Sequence, residues 1–454
     1  MDGNAPQEFS TEVRGHYEEL PYPYRRIEDE GKQFHGGDGF GPEALNHIAW
    51  AGRRDLRNGG RVLIAGNGTG DASVQWGESL YGSDAEIIAI DISTTSMELA
   101  KARLEKRQLS NVILKHLSIM DLPDAGLGTF DVIECTGVLH HLPDPAAGLR
   151  ALGHVLKDDG VMSLMVYAQY GRMPIYMVQD LLRRLMRPGM TRTEKLELAR
   201  GFLNHVPNTH WLTVKNEEFI DDLSVPDGSG IYDLLLHSTD RAYTVPELYN
   251  WVEGAGLQVA GLFSDFTDDS IYRPQSYTQD ATMLAAFADK SDKELFAIGE
   301  LLHGTITKHN FYVSKQPLQQ ATLEDDMVLS YAMMQSIFAG FVHTLIPMLQ
   351  QVNIGERVAC ATRPSRHAPP TLVTKRPSTI TLLQLINNVR TVGEIISEAA
   401  RLSKCSRNEV RKDLELLYKE FRARLMVNLQ HRSVSPYPTV QQMFQRLQSI
   451  GLVA

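Results

Sequence analysis

Between residues 41 and 168 the chain alternates short apolar runs with longer stretches whose apolar residues recur at helical spacing. RVLIAG (61–66), EIIAID (86–91), NVILKHLS (111–118), FDVIECTG (130–137) and VMSLMVYA (161–168) have the length and branched side chains of buried strands. DASVQWGESLYG (71–82), STTSMELAKARLEKRQL (93–109) and AAGLRALGHVLKDDG (146–160) predict helices, the second opened by a Ser/Thr cap. Strands alternating with helices of this length predict a parallel sheet covered on both faces.

The pattern then changes. Residues 170–206 predict two or more helices with no strand between them. A helix, a Gly-containing turn and a strand follow over 244–265, and GTITKHNFYVSK (304–315) predicts a further strand. This places two insertions, 169–243 and an irregular 266–303, inside one α/β domain spanning 41–316, with residues 1–40 as an N-terminal leader. Beyond 316, a Met-rich helix is expected over 321–352 and a Pro- and Arg-bearing linker over 358–377. Two amphipathic helices (391–402 and 406–429) and an apolar segment complete the chain, so 317–454 predicts a mostly helical, winged-helix-like accessory domain, a candidate surface for homo-oligomer formation.

Composition narrows the classes. A length of 454 residues with 43% hydrophobic and 22% charged residues is that of globular protein with more than one core. The net charge of -10 argues against a broad electrostatic grip on nucleic acid. Cys135, Cys360 and Cys405 form no CxxC pair and no zinc spacing, so no metal site is expected and a reducing cytoplasm fits best. The polar N-terminus does not read as a signal peptide, and no apolar run approaches the roughly 20 residues that span a bilayer.

The chemistry begins at VLIAGNGTGDAS (62–73). A dinucleotide fingerprint would need a third glycine at position 71, which is Asp71, and a carboxylate in the first helical turn disfavours a diphosphate there. Asp91 ends the second strand, where a carboxylate accepts hydrogen bonds from the vicinal hydroxyls of a ribose.

Here the chain resembles the class I S-adenosylmethionine-dependent methyltransferases. The motifs VLIAGNGTGD, AIDIS, HLSIMDLP, FDVIECTGVLHHLPDP and LKDDGVMSLMVY follow the family's order over 61–168, and the likeness resumes at TVPELYNWVEGAGLQVAGLF and HNFYVSK. The resemblance implies an α/β fold with a seven-stranded, mostly parallel Rossmann-like sheet whose last strand is antiparallel. It implies S-adenosylmethionine as cofactor, with Gly66, Asn67, Gly68, Thr69 and Gly70 along its methionine and ribose, Asp91 on the ribose and Ile92 on the adenine. Ser118, Ile119 and Met120 stand where the family often has an aspartate and its neighbours beside the adenine amino group; Cys135, Thr136 and Gly137 would face the sulfonium. Two other classes were weighed: a nucleotide-linked oxidoreductase, disfavoured by Asp71, and a non-catalytic sensor or scaffold that keeps the cofactor fold.

No single motif names the acceptor. His140 and His141 lie past the fourth strand, at the carboxyl edge where ligands bind, and either shape the loop or reach the acceptor. Tyr170 joins them as a catalytic candidate, and Arg172 as a contact for an anionic or peptide-like group. Tyr17, Tyr22 and Tyr24, set among prolines, predict a semi-rigid lid, and His237, Asp240 and Arg241 are further substrate candidates. The leader, core and appended domain are together similar in architecture to bacterial protein-modifying methyltransferases, lysine enzymes among them. That likeness points to a nitrogen of a protein or peptide, with a small-molecule or natural-product acceptor as the alternative.

Overall fold

A computed structural model describes residues 14–32, 41–214, 219–263, 269–331, 335–360, 371–387, 389–422 and 428–453. Seven strands form one sheet: β1 (Arg61–Ala65), β2 (Glu86–Asp91), β3 (Val112–His116), β4 (Phe130–Thr136), β5 (Leu156–Tyr167), β6 (Gln258–Phe263) and β7 (Lys308–Ser314). Their order is β3-β2-β1-β4-β5-β7-β6, with β7 antiparallel to both its neighbours and the strands from β3 to β5 parallel. The chain order reverses between β1 and β4, which opens a crevice beyond the carboxyl ends of those strands. All seven expected strands are present.

The local signals account for the elements around that crevice. Ser93 caps the helix Thr94–Lys106, its hydroxyl accepting from Ser96 N. Asp144 accepts from Ala147 N and Pro145 occupies the first turn of Pro145–Val155. That helix stops short of the predicted 160, because residues 156–160 begin β5, where Leu156 pairs with Phe130.

The first insertion is helical, as expected, with helices Met173–Leu185, Arg192–Leu203 and Ser229–Leu235 and shorter turns between them. Ile175, Val178, Leu182, Ala199, Leu212 and Ile231 give it a core of its own. The second insertion is more regular than expected. It holds helices Ala281–Phe287 and Asp292–His303, the latter started by a reciprocal Ser291–Glu294 capping box.

The C-terminal region departs further. The single helix expected over 321–352 is β8 (Val328–Tyr331) followed by the helix Gln335–Gln350. The expected linker contains β9 (Arg357–Cys360), antiparallel to β10 (Thr371–Thr374); its residues 361–370 lie outside the described ones. Helices Val392–Ser403 and Arg407–Arg422 follow, then β11 (Asn428–His431), which pairs with β8, and the helix Val440–Ser449. This region has its own core, including Leu345, Val373, Leu382, Ile395, Leu414 and Leu429. It is also fused to the first domain. Val434 and Tyr437 pack with Trp50, Leu56 and Val62, and Leu56 N donates to the Tyr437 hydroxyl at 2.9 Å.

A buried row of alternating charges crosses the same junction. Arg25 pairs with Asp71, Asp71 with Arg103, Arg103 and Arg107 with Glu30, Arg107 with Glu78, and Glu78 with Arg446. The side chains of Glu30, Glu78, Arg103 and Arg107 are at most 3% exposed. Removing one member leaves its partners charged and dehydrated. Glu30→Ala is therefore expected to lower the unfolding free energy by about 3–5 kcal/mol in urea denaturation, whereas Lys101→Ala, which breaks an exposed pair with Glu105, leaves the midpoint unchanged.

Candidate functional site

The turn after β1 is built on backbone. Gly66 N and Asn67 N both donate to Ile90 O, at 3.0 and 2.9 Å, which ties the turn to the end of β2. Gly68 N donates to Asp91 Oδ2 at 2.7 Å and Ser93 N to Asp91 Oδ1 at 2.9 Å. The leader lies across this turn. Thr69 Oγ1 donates to Pro23 O at 2.7 Å, and Ser93 Oγ to Tyr17 O at 3.0 Å. Gly68 has φ +51°, and a Cβ there would stand 2.7 Å from the Tyr22 carbonyl oxygen, so this glycine serves the close approach of the leader as well as the turn.

Asp71 has a different part from the one its position suggests. Burial pushes its carboxyl up, but Arg25 and Arg103 outweigh that and hold it below the ordinary carboxylate range. Its charge is neutralised by two guanidinium groups, so its contribution is to anchor the leader more than to repel a diphosphate.

The residues present fit an S-adenosyl cofactor. The Asp91 carboxylate takes backbone N–H groups from Gly68, Ser93 and Ile92 and keeps lone-pair capacity for a ribose hydroxyl. The Asn67 side chain is 5% exposed, and neither its oxygen nor its nitrogen has a hydrogen-bond partner among the described residues. Ile92 is half-buried, its carbonyl accepting from His116 Nε2, and Ser118 caps a short turn by accepting from Met120 N. Met120 and Thr136 are exposed, and Gly137 N donates to Met165 O. Ile119 and Cys135 differ from expectation. Both side chains are packed in the core with Leu63, Leu122 and Leu139, and burial pushes the Cys135 thiol far up.

Beyond the carboxyl end of β4, where an acceptor is expected, three separate segments converge. The leader supplies His16, Tyr17 and Tyr22, the turn after β4 supplies His140 and His141, and the first insertion supplies Arg172, Asp222, Asp233, His237 and Asp240. Tyr17 donates to Asp233 Oδ1 at 2.9 Å and Tyr167 to Asp233 Oδ2 at 3.3 Å. Tyr22 donates to Asp222 at 2.8 Å. The His141 and His237 rings stack at 3.8 Å, and His140 lies 3.9 Å from the Tyr167 ring. The Arg172 guanidinium covers the other part of Tyr167 at 3.4 Å and stands 3.9 Å from Asp240, which accepts from Gln179 and Tyr176.

Burial dominates the electrostatics. It lowers His141 to about 4, with Arg172 adding to the effect, and holds His16, His140 and His237 far down as well. It raises Asp233 to about 6 despite Tyr17 and Arg172. Both nitrogens of His140, Nε2 of His141 and two guanidinium nitrogens of Arg172 are buried with no hydrogen-bond partner among the described residues.

Three expected residues stand apart from this cluster in their described contacts. Arg241 is exposed over the Tyr243 ring, with its backbone N donating to His140 O. Tyr24 and Tyr170 are half-buried, and their described contacts use backbone carbonyls, accepting from Arg25 and Met173. His16, Asp222, Asp233 and Tyr176 were not foreseen. Asp233 sits in GIYDLLLH, where a lone acid between apolar residues was the available signal.

Comparison with known proteins agrees with this fold. The family model for a methyltransferase domain matches residues 63–162. With the fold and the turn, this makes the protein a class I S-adenosylmethionine-dependent methyltransferase. It belongs to one family with the uncharacterized protein syc1184_c of Synechococcus sp., 30% identical over 331 residues, or 72% of this chain and 77% of that protein. The ubiquinone biosynthesis O-methyltransferase of Neisseria meningitidis is 31% identical over 135 residues, 30% of this chain and 54% of that enzyme, so the likeness spans about half the relative's length. PKMT2 from Rickettsia typhi shares the fold across 86% of this chain and 74% of its own, with a TM-score of 0.59 at 14% identity. Its complex with AdoHcy covers 92% of this chain and 76% of its own, with a TM-score of 0.57 at 15% identity. No helix among the described residues is long and apolar enough to cross a membrane.

The histidine cluster sets a pH response. A histidine with a lowered folded pKa contributes stability that is present above its ordinary value of 6.5 and lost as pH falls through the folded value. Asp233 acts in the opposite sense, losing its contribution as pH rises from 3.8 through about 6. Burial raises Asp222 and Asp240 as well, and they act as Asp233 does, so four histidines stand against three carboxyls. The melting temperature is expected to fall as pH drops from 6.5 to 4, and to fall less steeply in His140→Asn than in the wild type.

Proposed function

We propose that the enzyme methylates an amino nitrogen of a protein or peptide. The observation that carries this reading is the charge balance of the acceptor pocket. Among the described residues, Asp222, Asp233 and Asp240 share the Arg172 guanidinium, with Arg183 acting on Asp240 as well, and their neighbours Tyr17, Tyr22 and Tyr167 are aromatic. Excess carboxylate in this setting favours an N–H donor. The pocket also keeps water from the reacting pair, since its histidines, Tyr167 and Arg172 are almost wholly buried.

S-adenosylmethionine supplies an electrophilic methyl group on a sulfonium. The protein's share is binding, alignment and dryness. Asp91 holds the ribose hydroxyls, Asn67 serves the cofactor's polar edge, and the leader covers both. Burial next to His141 and Arg172 disfavours an ammonium form, which leaves the acceptor nitrogen its lone pair. The three free thiols suit a reducing compartment and support a cytoplasmic setting.

A small-molecule acceptor is the second reading, favoured by the local identity to ubiquinone biosynthesis O-methyltransferases. Tritiated S-adenosylmethionine added to a cell lysate with the purified enzyme separates the two. Label is expected in protein-sized material that shifts to peptides after protease treatment; label only in small molecules before protease would overturn the nitrogen reading in favour of the second. Asp91→Ala is expected to weaken S-adenosylhomocysteine binding by at least about tenfold in calorimetry, the loss of roughly one charge-assisted hydrogen bond.

A further inference from the structure

We propose that His141 presents an acceptor nitrogen to the incoming nucleophile, its tautomer and the opposite one of the stacked His237 both set by one residue, Thr239. The inference rests on the reading of this pocket as the acceptor site.

The argument is hydrogen-bond accounting. Thr239 O can only accept, and His141 Nδ1 stands 2.7 Å from it. His141 therefore carries its proton on Nδ1 and a lone pair on Nε2. Thr239 N–H can only donate, and it reaches His237 Nδ1 at 3.1 Å. His237 therefore keeps its lone pair on Nδ1 and its proton on Nε2. The chain continues outward. Tyr17 gives its hydroxyl proton to Asp233 at 2.9 Å, so its oxygen is free to receive His237 Nε2–H at 3.5 Å. The stacked rings, 28° apart, thus hold opposite tautomers: the acceptor nitrogen of His141 is left without a partner among the described residues, and the donor nitrogen of His237 is given to Tyr17.

His141 Nε2 is buried and has no partner among the described residues. It is matched by an O–H or N–H of the acceptor, which it orients while leaving the nucleophile's own lone pair unused. His141 is then the residue that touches the acceptor, and His237, Tyr17 and Asp233 are positioning residues behind it.

The same side chains suggest a competing use. His141, Asp233 and His237 bring ligand atoms within 4.8 Å of one another, close enough for a divalent cation. A cation there would need lone pairs on Nε2 of both rings. His237 lacks one, because Thr239 N–H occupies the other nitrogen.

Two variants make the test. Asparagine places a polar atom where Nδ1 stands and has nothing at Nε2, so His141→Asn and His237→Asn each retain the bond to Thr239. Protein labelled with 15N-histidine is examined at pH 7 by long-range 1H–15N correlation, with the variants assigning the two rings. The expected result is an Nδ1–H tautomer for His141 and an Nε2–H tautomer for His237. His141→Asn is expected to bind S-adenosylhomocysteine as the wild type does and to lose methyl transfer into the lysate by about 100-fold or more. His237→Asn is expected to lose about tenfold. Rings in the same tautomer would overturn the proposal. So would wild-type transfer by His141→Asn, or stoichiometric Zn2+ binding that both variants abolish. A lysate with no labelled product counts against the acceptor reading alone, and the tautomers then decide this one.

Discussion

Arg25, Asp71, Arg103, Glu30, Arg107, Glu78 and Arg446 alternate in sign from the leader to the last helix. Each buried charge costs several kcal/mol to dehydrate, and the cost is offset only where every partner is in place. The row therefore works as a single unit. Its members come from the leader, from the helices after β1 and β2, and from the C-terminal helix Val440–Ser449. Arg103 Nη1 also donates to Thr69 O, inside the cofactor turn, at 2.7 Å. The position of the leader over the turn and the docking of the chain's last helix are thus parts of one electrostatic arrangement.

The leader connects the two halves of the site. Its backbone meets the donor side, through Pro23 O on Thr69 and Tyr17 O on Ser93, while its side chains meet the acceptor side, through Tyr17 on Asp233 and Tyr22 on Asp222. Glu18 accepts from the N–H groups of Thr94 and Thr95, at the start of the helix after β2; burial pushes its carboxyl up, but these bonds together outweigh that and hold it down to about 2. In the proposed reading, a segment bound at both ends of the crevice would exclude water from the centre, where methyl transfer would take place.

The parts that were legible in the sequence were those with a local period or cap. The five strands of the first half, the Ser93 cap and the antiparallel closing strand follow from runs of adjacent residues and from motif order. The misread parts lack a local signal. β8 reads as helix because its pairing strand, β11, comes only at 428–431, and β9 and β10 are four-residue strands in a Pro- and Arg-bearing stretch that reads as linker. Asp71 shows the same limit at one residue. Its position in the first helical turn was evident, but the two arginines that neutralise it come from other segments.

This difference explains why the methyl donor is easier to read than the acceptor. The donor side is β1, its turn and the end of β2, contiguous residues whose backbone groups make most of the bonds. The acceptor side draws on the leader, the turn after β4 and an insertion, and no spacing links them. The insertion has an independent core around Ile175, Val178 and Leu182, on which the helix bearing Asp233 rests. That core is separate from the core of the sheet, so the groups beside His141 are held by a layer that the cofactor turn does not constrain. What the sheet does contribute to the acceptor is the turn after β4, which holds His141 in place for Thr239 to set its tautomer.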